Sequence, residues 1–379
     1  MLKIAHVIVG MQNGGAEMML RRLVEAGSQG VNGVMHVVIS LTELGYHGTA
    51  LRAQGVEVHA LGLRGPLALL VGVFKLTTLL RRVKPQIVQT WMVHSDLLGG
   101  IAARLVGVAH VIWGIRTTDY SVESRSTRAV RWLCARLSSL IPDRIVCAAQ
   151  ASLVASAQAG YDTRKLMVIP NGFDVAALRA HLGAGAAIRQ HYWPGAEHVV
   201  VGCLGRYNPA KDHANFVSAA GLLAARFPAC RFLMVGRDLS SANSALMEQI
   251  QSTGFADRFV LLGERLDPAA CLDAMDVFVL PSRTEGFPNV LGEAMAMGLP
   301  CVTTDVGDAH FLLGDAGHVV PACDAAALAQ AVTHLLDLPE SERKALGAKG
   351  RMRVEKAFSM TASVHKFYKL YQALLQRMP

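Results

Sequence analysis

The sequence predicts an α/β protein built from two doubly wound parallel sheets. Three observations carry that prediction. Short apolar strand-like runs alternate with helical stretches along the whole chain. The alternation stops near the middle and restarts. A length of 379 residues also exceeds what one hydrophobic core ordinarily holds. Hydrophobic residues make up 52% of the chain and charged residues 17%, which describes a well-buried globular protein and excludes a disordered one.

The first series of strands reads "KIAHVIVG" from Lys3, "MHVVISL" from Met35, "VEVHALGL" from Val56, "QIVQTW" from Gln86, "HVIWGI" from His110, "RIVCAA" from Arg144 and "LMVIPNG" from Leu166. A polar, Ala-rich stretch from "IPNGFD" to "HYWPGAEH" then reads as a linker plus a first helix. The second series is "VVVGCLGR" from Val199, "RFLMVGR" from Arg231, "RFVLLGE" from Arg258, "VFVLPS" from Val277, "PCVTTD" from Pro300 and "GHVVPA" from Gly317. The last helix, from Thr361, lines Val364, Phe367, Tyr368, Tyr371, Leu374 and Leu375 along one stripe and is expected to pack on a domain face. The expected domains are 1–170 with the terminal helix at about 358–379, and 171–357, facing each other across a cleft. Ligands of such sheets sit beyond the carboxyl ends of the strands, where every motif below falls.

The net charge of +8 is uneven. Residues 1–170 carry 18 Lys and Arg against 9 Asp and Glu, and residues 171–379 carry 19 against 20. A basic half beside a neutral half points to an acidic partner for the first domain, and an anionic membrane surface is the expected one. On charge alone, a basic protein with no polyanionic partner reads the same. Nucleic acid is not expected, because the basic residues are not interleaved with aromatics. The seven cysteines are scattered without CxxC spacing, which argues for a reducing compartment and against zinc. "MLKIAHVIVG" does not read as a signal peptide, and a cytoplasmic location is expected, peripheral on the inner face of the membrane. The segment "PLALLVGVFKLTTLL" from Pro66 is too short for a membrane span and carries Lys75; it reads as a helix packed on a sheet.

Five motifs bear on chemistry. In "EGFPNVLGEAMAMG", Glu285 to Gly298, a strand hands over to a helix, with Pro288 suited to the first turn and Gly298 to the stop. The amides of Gly286, Phe287, Asn289 and Val290 would then face an anion at the helix start. Glu285 and Glu293 beside a phosphate site would repel it, so their expected partners are hydroxyls, and a nucleotide-sugar fits both. In "GRYNPAKDH", Arg206 and Lys211 share one loop after a strand and can converge on a diphosphate. In "GMQNGGAEMML", Gly14 and Gly15 permit close backbone approach at a helix start. In "QTWMVHSDLLGG", His94 and Asp96 follow a strand end; the histidine either orients a hydroxyl or is structural. The helix from Arg125 to Ile141 sets Arg125, Arg128, Arg131 and Arg136 largely off its apolar stripe, compatible with a membrane-surface helix or a core helix with a basic outer face.

Taken together, these motifs in this order resemble the retaining glycosyltransferases of family 4, the glycosyl transferases group 1, which have the GT-B fold. The resemblance covers nearly the whole chain and adds "LLGERLDPAACLDAMDVFVLPS" to the motifs above. It implies that Glu285 holds the donor sugar, Glu293 the ribose, and Arg206 and Lys211 the leaving diphosphate, helped by backbone near Gly286, Phe287 and Pro288. It also implies that Gly15 approaches the phosphate, that His94 contacts the donor sugar, and that Arg265 and Leu266 lie in the base-contacting segment. No metal and no cofactor are implied. The donor is a UDP- or GDP-sugar, and the acceptor is a glycan or lipid-linked glycan held by loops around Arg116 to Arg128. The chain departs from the family in "VGRDLS" from Val235, which lacks a Gly-x-Gly turn. No residue reads clearly as a nucleophile, so same-face attack by the acceptor through an oxocarbenium-like state is expected, with configuration retained and the diphosphate's developing charge met by Arg206, Lys211 and helix amides. The other readings are a nucleotide-sugar epimerase or a phosphorylase on the same fold, and a two-lobed binding protein without catalysis.

Overall fold

The computed structural model of the protein describes residues 2–12, 14–28, 34–65, 68–118, 120, 124–195 and 197–376. The chain folds into two units, Met1–Gly172 with Met360–Pro379, and Phe173–Ser359.

In the first unit seven strands form one sheet. They are β1 (Leu2–Ile8), β2 (Val34–Ser40), β3 (Glu57–Ala60), β4 (Ile87–Trp91), β5 (His110–Ile115), β6 (Arg144–Cys147) and β7 (Leu166–Val168). Their order is β3-β2-β1-β4-β5-β6-β7, all parallel. Side chains alternate faces along a strand, so Ile4 and Ile8 look one way and Ala5 and Val7 the other. Helices Gly15–Ser28 and Met360–Leu375 cover the Ile4 and Ile8 face with Leu20, Leu23, Phe367 and Tyr371. Helices Ala68–Val83, Val93–Leu105 and Arg125–Leu137 cover the opposite face with Leu76, Leu98, Ala102 and Cys134.

Polar bonds fix the terminal helix in place as well. The Tyr371 hydroxyl donates to Gln89 Oε1 at 2.5 Å, and Ser363 Oγ donates to the Pro170 carbonyl at 2.8 Å. A third link runs through two histidines. The Trp91 indole can only donate, and it does so to His6 Nδ1 at 3.3 Å. His6 Nε2 must then carry the hydrogen offered to His36 Nδ1 at 2.9 Å, and His36 Nε2 meets the Tyr368 hydroxyl at 3.2 Å. Burial holds both imidazoles neutral, lowering His36 to about 4.

In the second unit six strands pair in the order β10-β9-β8-β11-β12-β13, again all parallel. They are β8 (Val199–Leu204), β9 (Cys230–Val235), β10 (Phe259–Leu261), β11 (Val277–Leu280), β12 (Cys301–Thr304) and β13 (Gly317–Val320). Phe216, Phe232, Val279, Leu328 and Val332 centre its core. The stretch after "IPNGFD", expected as a linker plus a first helix, carries two helices, so the part expected as linker is folded too. Asp174 caps a helix at Val175–Arg179 by accepting from Ala177 N at 3.0 Å, and a second helix follows at Gly185–Tyr192. Ala196, within "HYWPGAEH", lies outside the described residues.

The helix expected within Pro66–Leu80 spans Ala68–Val83 and packs inward through Leu76, Leu80 and Val83. Its outward face, however, carries Leu70 and Phe74 in solvent. Pro66 and Leu67 lie outside the described residues.

Candidate active site

Both sheets reverse their winding at one point, between β1 and β4 in the first unit and between β8 and β11 in the second. There, helices diverge to opposite faces and leave a crevice at the strands' carboxyl ends. Ile8 pairs with Trp91 across one switch point, and Phe278 with Gly202 across the other. The Gly14–Gly15 turn and the His94 loop follow β1 and β4, whereas the Arg206–Lys211 loop and the Glu285 loop follow β8 and β11.

In the second unit the two loops are bonded to each other. Lys211 Nζ lies 2.6 Å from Glu285 Oε1, and Ser282 Oγ donates to the same oxygen at 2.7 Å. The Arg283 amide donates to the Ala210 carbonyl at 2.8 Å, and the Arg283 guanidinium forks onto Asp212 at 2.8 and 3.2 Å. Asn208 Oδ1 accepts from Ala210 N at 2.9 Å, which shapes the short turn that delivers Lys211. Behind it His213 stacks on Tyr207, and burial beside Lys211 lowers its imidazole to about 4. Arg206 is exposed and takes no part in this network.

The helix after Glu285 runs Asn289–Met297 and stops at Gly298, whose φ of 86° is the left-handed conformation that glycine adopts without strain. Pro288 stands one position earlier than expected. It is the residue before the helix, φ −77° and ψ 91°, and its carbonyl accepts from Leu291 N at 3.1 Å. Its ring still fixes φ where the chain turns into the helix. Phe287 stacks on Phe173, and a Cβ on Gly292 would run into the Phe173 ring, so this close packing seats the helix. The Gly286 carbonyl accepts from Asp308 N at 2.9 Å. Glu293 sits half-buried on the same helix, and Asn289 and Val290 form its first turn. Arg265 forks onto Asp267 at 2.7 and 2.8 Å, with Leu266 beside it 91% exposed.

In the first unit the Gly14 carbonyl accepts from Met18 N at 2.9 Å as the helix begins at Gly15, and the Glu17 carboxyl folds back over Gly14. His94 is half-buried in the first turn after Met92, a non-glycine residue at φ 73°. Held in this disfavoured conformation, Met92 donates its N–H to the Gly114 carbonyl at 2.8 Å. Asp96 is fully buried; its Oδ1 accepts from Thr90 Oγ1 at 2.5 Å and Gly114 N at 3.1 Å. Burial pushes this carboxyl up to about 7 against those two bonds. After β5, the Arg116 guanidinium lies 4.4 Å over the Trp91 ring and donates to Asn171 Oδ1 at 2.8 Å. Burial lowers it to about 10. Of the loops expected around an acceptor, residues 119 and 121–123 lie outside the described residues.

Sequence reasoning missed Ser282, Asp212, Arg283 and His213, and it placed Arg116 only as one end of the expected acceptor loops. Ser282 carries a usable signal: a small hydroxyl directly after a strand end, three residues before a catalytic candidate. The Arg283–Asp212 fork spans 71 positions and has none. Among the described residues no group of three or more His, Cys, Asp or Glu side chains comes together as a metal-ligand set.

Comparison with known proteins agrees with this geometry. The family described as Glycosyltransferase Family 4 matches residues 13–177, and Glycosyl transferases group 1 matches residues 198–338. The UDP-Gal:alpha-D-GlcNAc-diphosphoundecaprenol alpha-1,3-galactosyltransferase of Escherichia coli is 27% identical over 311 residues, covering 80% of this chain and 78% of that protein. The capsular polysaccharide biosynthesis glycosyltransferase CapM of Staphylococcus aureus is 23% identical, covering 87% and 88%. Among solved structures, Anabaena HepE in complex with UDP superposes with a TM-score of 0.85 at 20% identity, over 98% of this chain and 100% of that one. Two parallel sheets, each with its loops gathered at a switch point, and family matches along both halves, make one assignment: the chain belongs to glycosyltransferase family 4, the glycosyl transferases group 1, and is a glycosyltransferase of the GT-B fold.

Proposed function

We propose that the protein moves a hexosyl group from a UDP- or GDP-sugar to a glycan or lipid-linked acceptor, with retention of anomeric configuration and without a metal ion. The carboxyl-terminal unit takes the nucleotide-sugar, and the amino-terminal unit handles the acceptor at the cytoplasmic face of a membrane. The observation that carries this reading is the Lys211–Glu285 pair, braced by Ser282 at the switch point of the second sheet. Breaking the sugar–phosphate bond leaves negative charge on the diphosphate and positive character on the sugar ring. Lys211 and the exposed Arg206 meet the first. Glu285 grips the sugar's hydroxyls beside the second, and the fixed loops need no rearrangement as charge develops. Glu293, one helical step inward, takes the ribose hydroxyls. Asn289, Val290 and the backbone from Gly286 to Pro288 face the phosphates, and Arg265 with Leu266 border the base. His94 and the Gly14–Gly15 turn occupy the corresponding strand ends of the first unit. One relative, named for a UDP-Gal donor and a GlcNAc-diphosphoundecaprenol acceptor, supports the substrate classes.

The test is turnover of UDP- and GDP-sugars with a diphosphoundecaprenol-linked acceptor, in EDTA, with the product's anomeric configuration read by NMR. Retention in EDTA is the expected result. Inversion, or a strict metal requirement, would overturn the mechanism, and Glu285→Ala at wild-type turnover would overturn the donor site. Conversion of donor without any acceptor would favour an epimerase.

A further inference from the structure

The helices Ala68–Val83, Val93–Leu105 and Arg125–Leu137 share one core on one face of the first sheet, and neighbours among them are in contact. Their outward surface has two features that a merely solvated face lacks. The first is apolar exposure. Leu70 is 72% exposed and Phe74 73%, one turn apart, with Leu69 and Val71 beside them also in solvent. The helix is thus apolar on its inner face through Leu76, Leu80 and Val83, and again on its outer face over the first two turns. On the third helix of the row, Trp132 is 61% exposed, and Leu140, just past its end, is 74% exposed. So much large apolar exposure on the outer helices of one row exceeds the scattered exposure of a soluble monomer.

The second feature is charge of one sign. From Val58 to Pro142 the sequence carries eleven Lys and Arg and three acids, Asp96, Asp119 and Glu123; of the cations, Arg131 is buried, Arg116 lies over Trp91, and Arg104 pairs with Asp143 just past the stretch, which leaves eight. Asp96 is fully buried, and the other two lie outside the described residues, so no described acid on this stretch faces solvent. The cations lie beside the apolar residues. Arg81 continues the Leu70 and Phe74 stripe, and Arg125, Arg128 and Arg136 share a stripe with Trp132 at helical spacing. The Arg136 guanidinium lies 5.2 Å from the Trp132 ring centroid.

We infer that this three-helix face docks on an anionic lipid bilayer, with Leu70, Phe74 and Trp132 entering the interface and the arginines meeting lipid phosphates. Apolar anchors ringed by cations suit an anionic interface. A second copy of this chain would bring like charges together, and an acidic protein would leave the apolar anchors short of a hydrocarbon phase. No helix among the described residues is long and apolar enough to cross a membrane, so the contact is peripheral. Leu70 and Phe74 lie in the first turns after β3, at the end of the sheet that carries the His94 loop. The face therefore sets that loop near the lipid surface. The inference holds whichever sugar or acceptor the enzyme uses.

The test is co-sedimentation of the full chain with vesicles of phosphatidylcholine alone and with 30% phosphatidylglycerol, at low and high salt. The wild type is expected to partition at least tenfold better onto the anionic vesicles at low salt. A Leu70→Ser/Phe74→Ser double variant is expected to lose that gain while keeping the wild-type melting temperature and its turnover of a water-soluble acceptor. Brominated phosphatidylglycerol should quench tryptophan emission in the wild type but not in Trp132→Phe. Equal partition of the wild type onto both vesicles, undiminished binding by the double variant, or a wild-type dimer that the double variant dissociates would each overturn the inference. Loss of turnover with vesicle binding intact would instead count against the proposed transfer reaction.

Discussion

The two switch points are built from the same topology and solve different electrostatic problems. In the second unit the acids are shielded from solvent but each is paired with a cation that reaches it: Glu285 with Lys211, and Asp212 with Arg283. In the first unit the charges are drawn inside. Asp96 keeps one carboxyl oxygen buried without a hydrogen-bond partner, and Arg116 keeps two such nitrogens, Nε and Nη2, among the described residues. A paired site with one partner open to solvent holds its geometry and can exchange that partner for a ligand's phosphate. A buried, under-satisfied site stores cost in desolvation and in the strained Met92 backbone, which is where a fold tolerates local expense for function. The contrast makes the carboxyl-terminal site the one whose loss should be catastrophic, and the amino-terminal site the one whose loss should be felt through pH.

Lys211→Ala tests the first half of that contrast and should have the largest effect. Removing one preorganised donor to developing negative charge typically lowers kcat by about 10²–10³-fold. It also leaves Glu285 with Ser282 as its bonded neighbour, so the acid is less well aimed. The expected result is a loss of that size in steady-state turnover with little change in melting temperature, and partial rescue by Lys211→Arg. A loss under tenfold would mean that the pair is a surface salt bridge of the ordinary kind.

Next in size is Asp96. Its carboxyl stands near 7 in the folded protein against 3.8 when unfolded. Because the folded value is the higher one, this group's contribution is fully present below about pH 3.8 and is lost as pH rises through 7. Between pH 5 and 8.5 the loss should be about 2–3 kcal/mol, because the part that falls inside this window is the stretch of about two pH units between 5 and 7, at 1.36 kcal/mol per pH unit. Asp96→Asn keeps the oxygen that accepts from Thr90 and Gly114 but cannot ionise. Urea unfolding at a series of pH values should show the variant's stability relative to wild type rising across that window. A flat difference would show that Asp96 is solvated and ionised throughout.

These two sites also show what the sequence could and could not disclose. Every strand of both sheets was legible, since each is a short β-branched run bounded by a turn residue and each sits between helical stretches. The Glu285 motif was legible because proline and glycine punctuate both ends of one helix; only the position of Pro288 was off by one, within the ordinary fraying of helix ends. The Lys211–Glu285 bond was not, because its partners lie 74 positions apart and only the β8–β11 adjacency brings them together. The outward Leu70 and Phe74 were hidden for the opposite reason. The first two turns of that helix are apolar on both faces, so the pattern there does not say which face is covered, although Arg81 and Arg82 mark the outer face farther on.

His36 offers a smaller effect on the opposite side of neutrality. Its folded value of about 4 lies below the unfolded 6.5, so its contribution is complete above pH 6.5 and is lost as pH falls toward 4. At pH 4.5 the loss should be about 2 kcal/mol from this group. It should appear first where the relay ends, as faster amide exchange in the helix Met360–Leu375, since a protonated His36 cannot accept from His6. Tyr368→Phe cuts only the outer link and should leave the acid sensitivity in place. Abolition of that sensitivity by Tyr368→Phe would move the titrating group away from the histidine pair.

The smallest effect distinguishes a bordering contact from a bonded one. Arg265 is committed to Asp267, whereas Leu266 projects into solvent and packs on nothing that its removal would expose. Leu266→Ser should therefore change stability by less than about 0.5 kcal/mol, the usual range for an exposed position. If the nucleotide base lies against this segment, the same substitution should raise the donor KM several-fold with kcat unchanged, the signature of binding lost equally from ground and transition states. An unchanged KM would confine donor recognition to the bonded loops after β8 and β11. The base would then be read by backbone alone, and the comparison between the two units would reduce to phosphate and sugar.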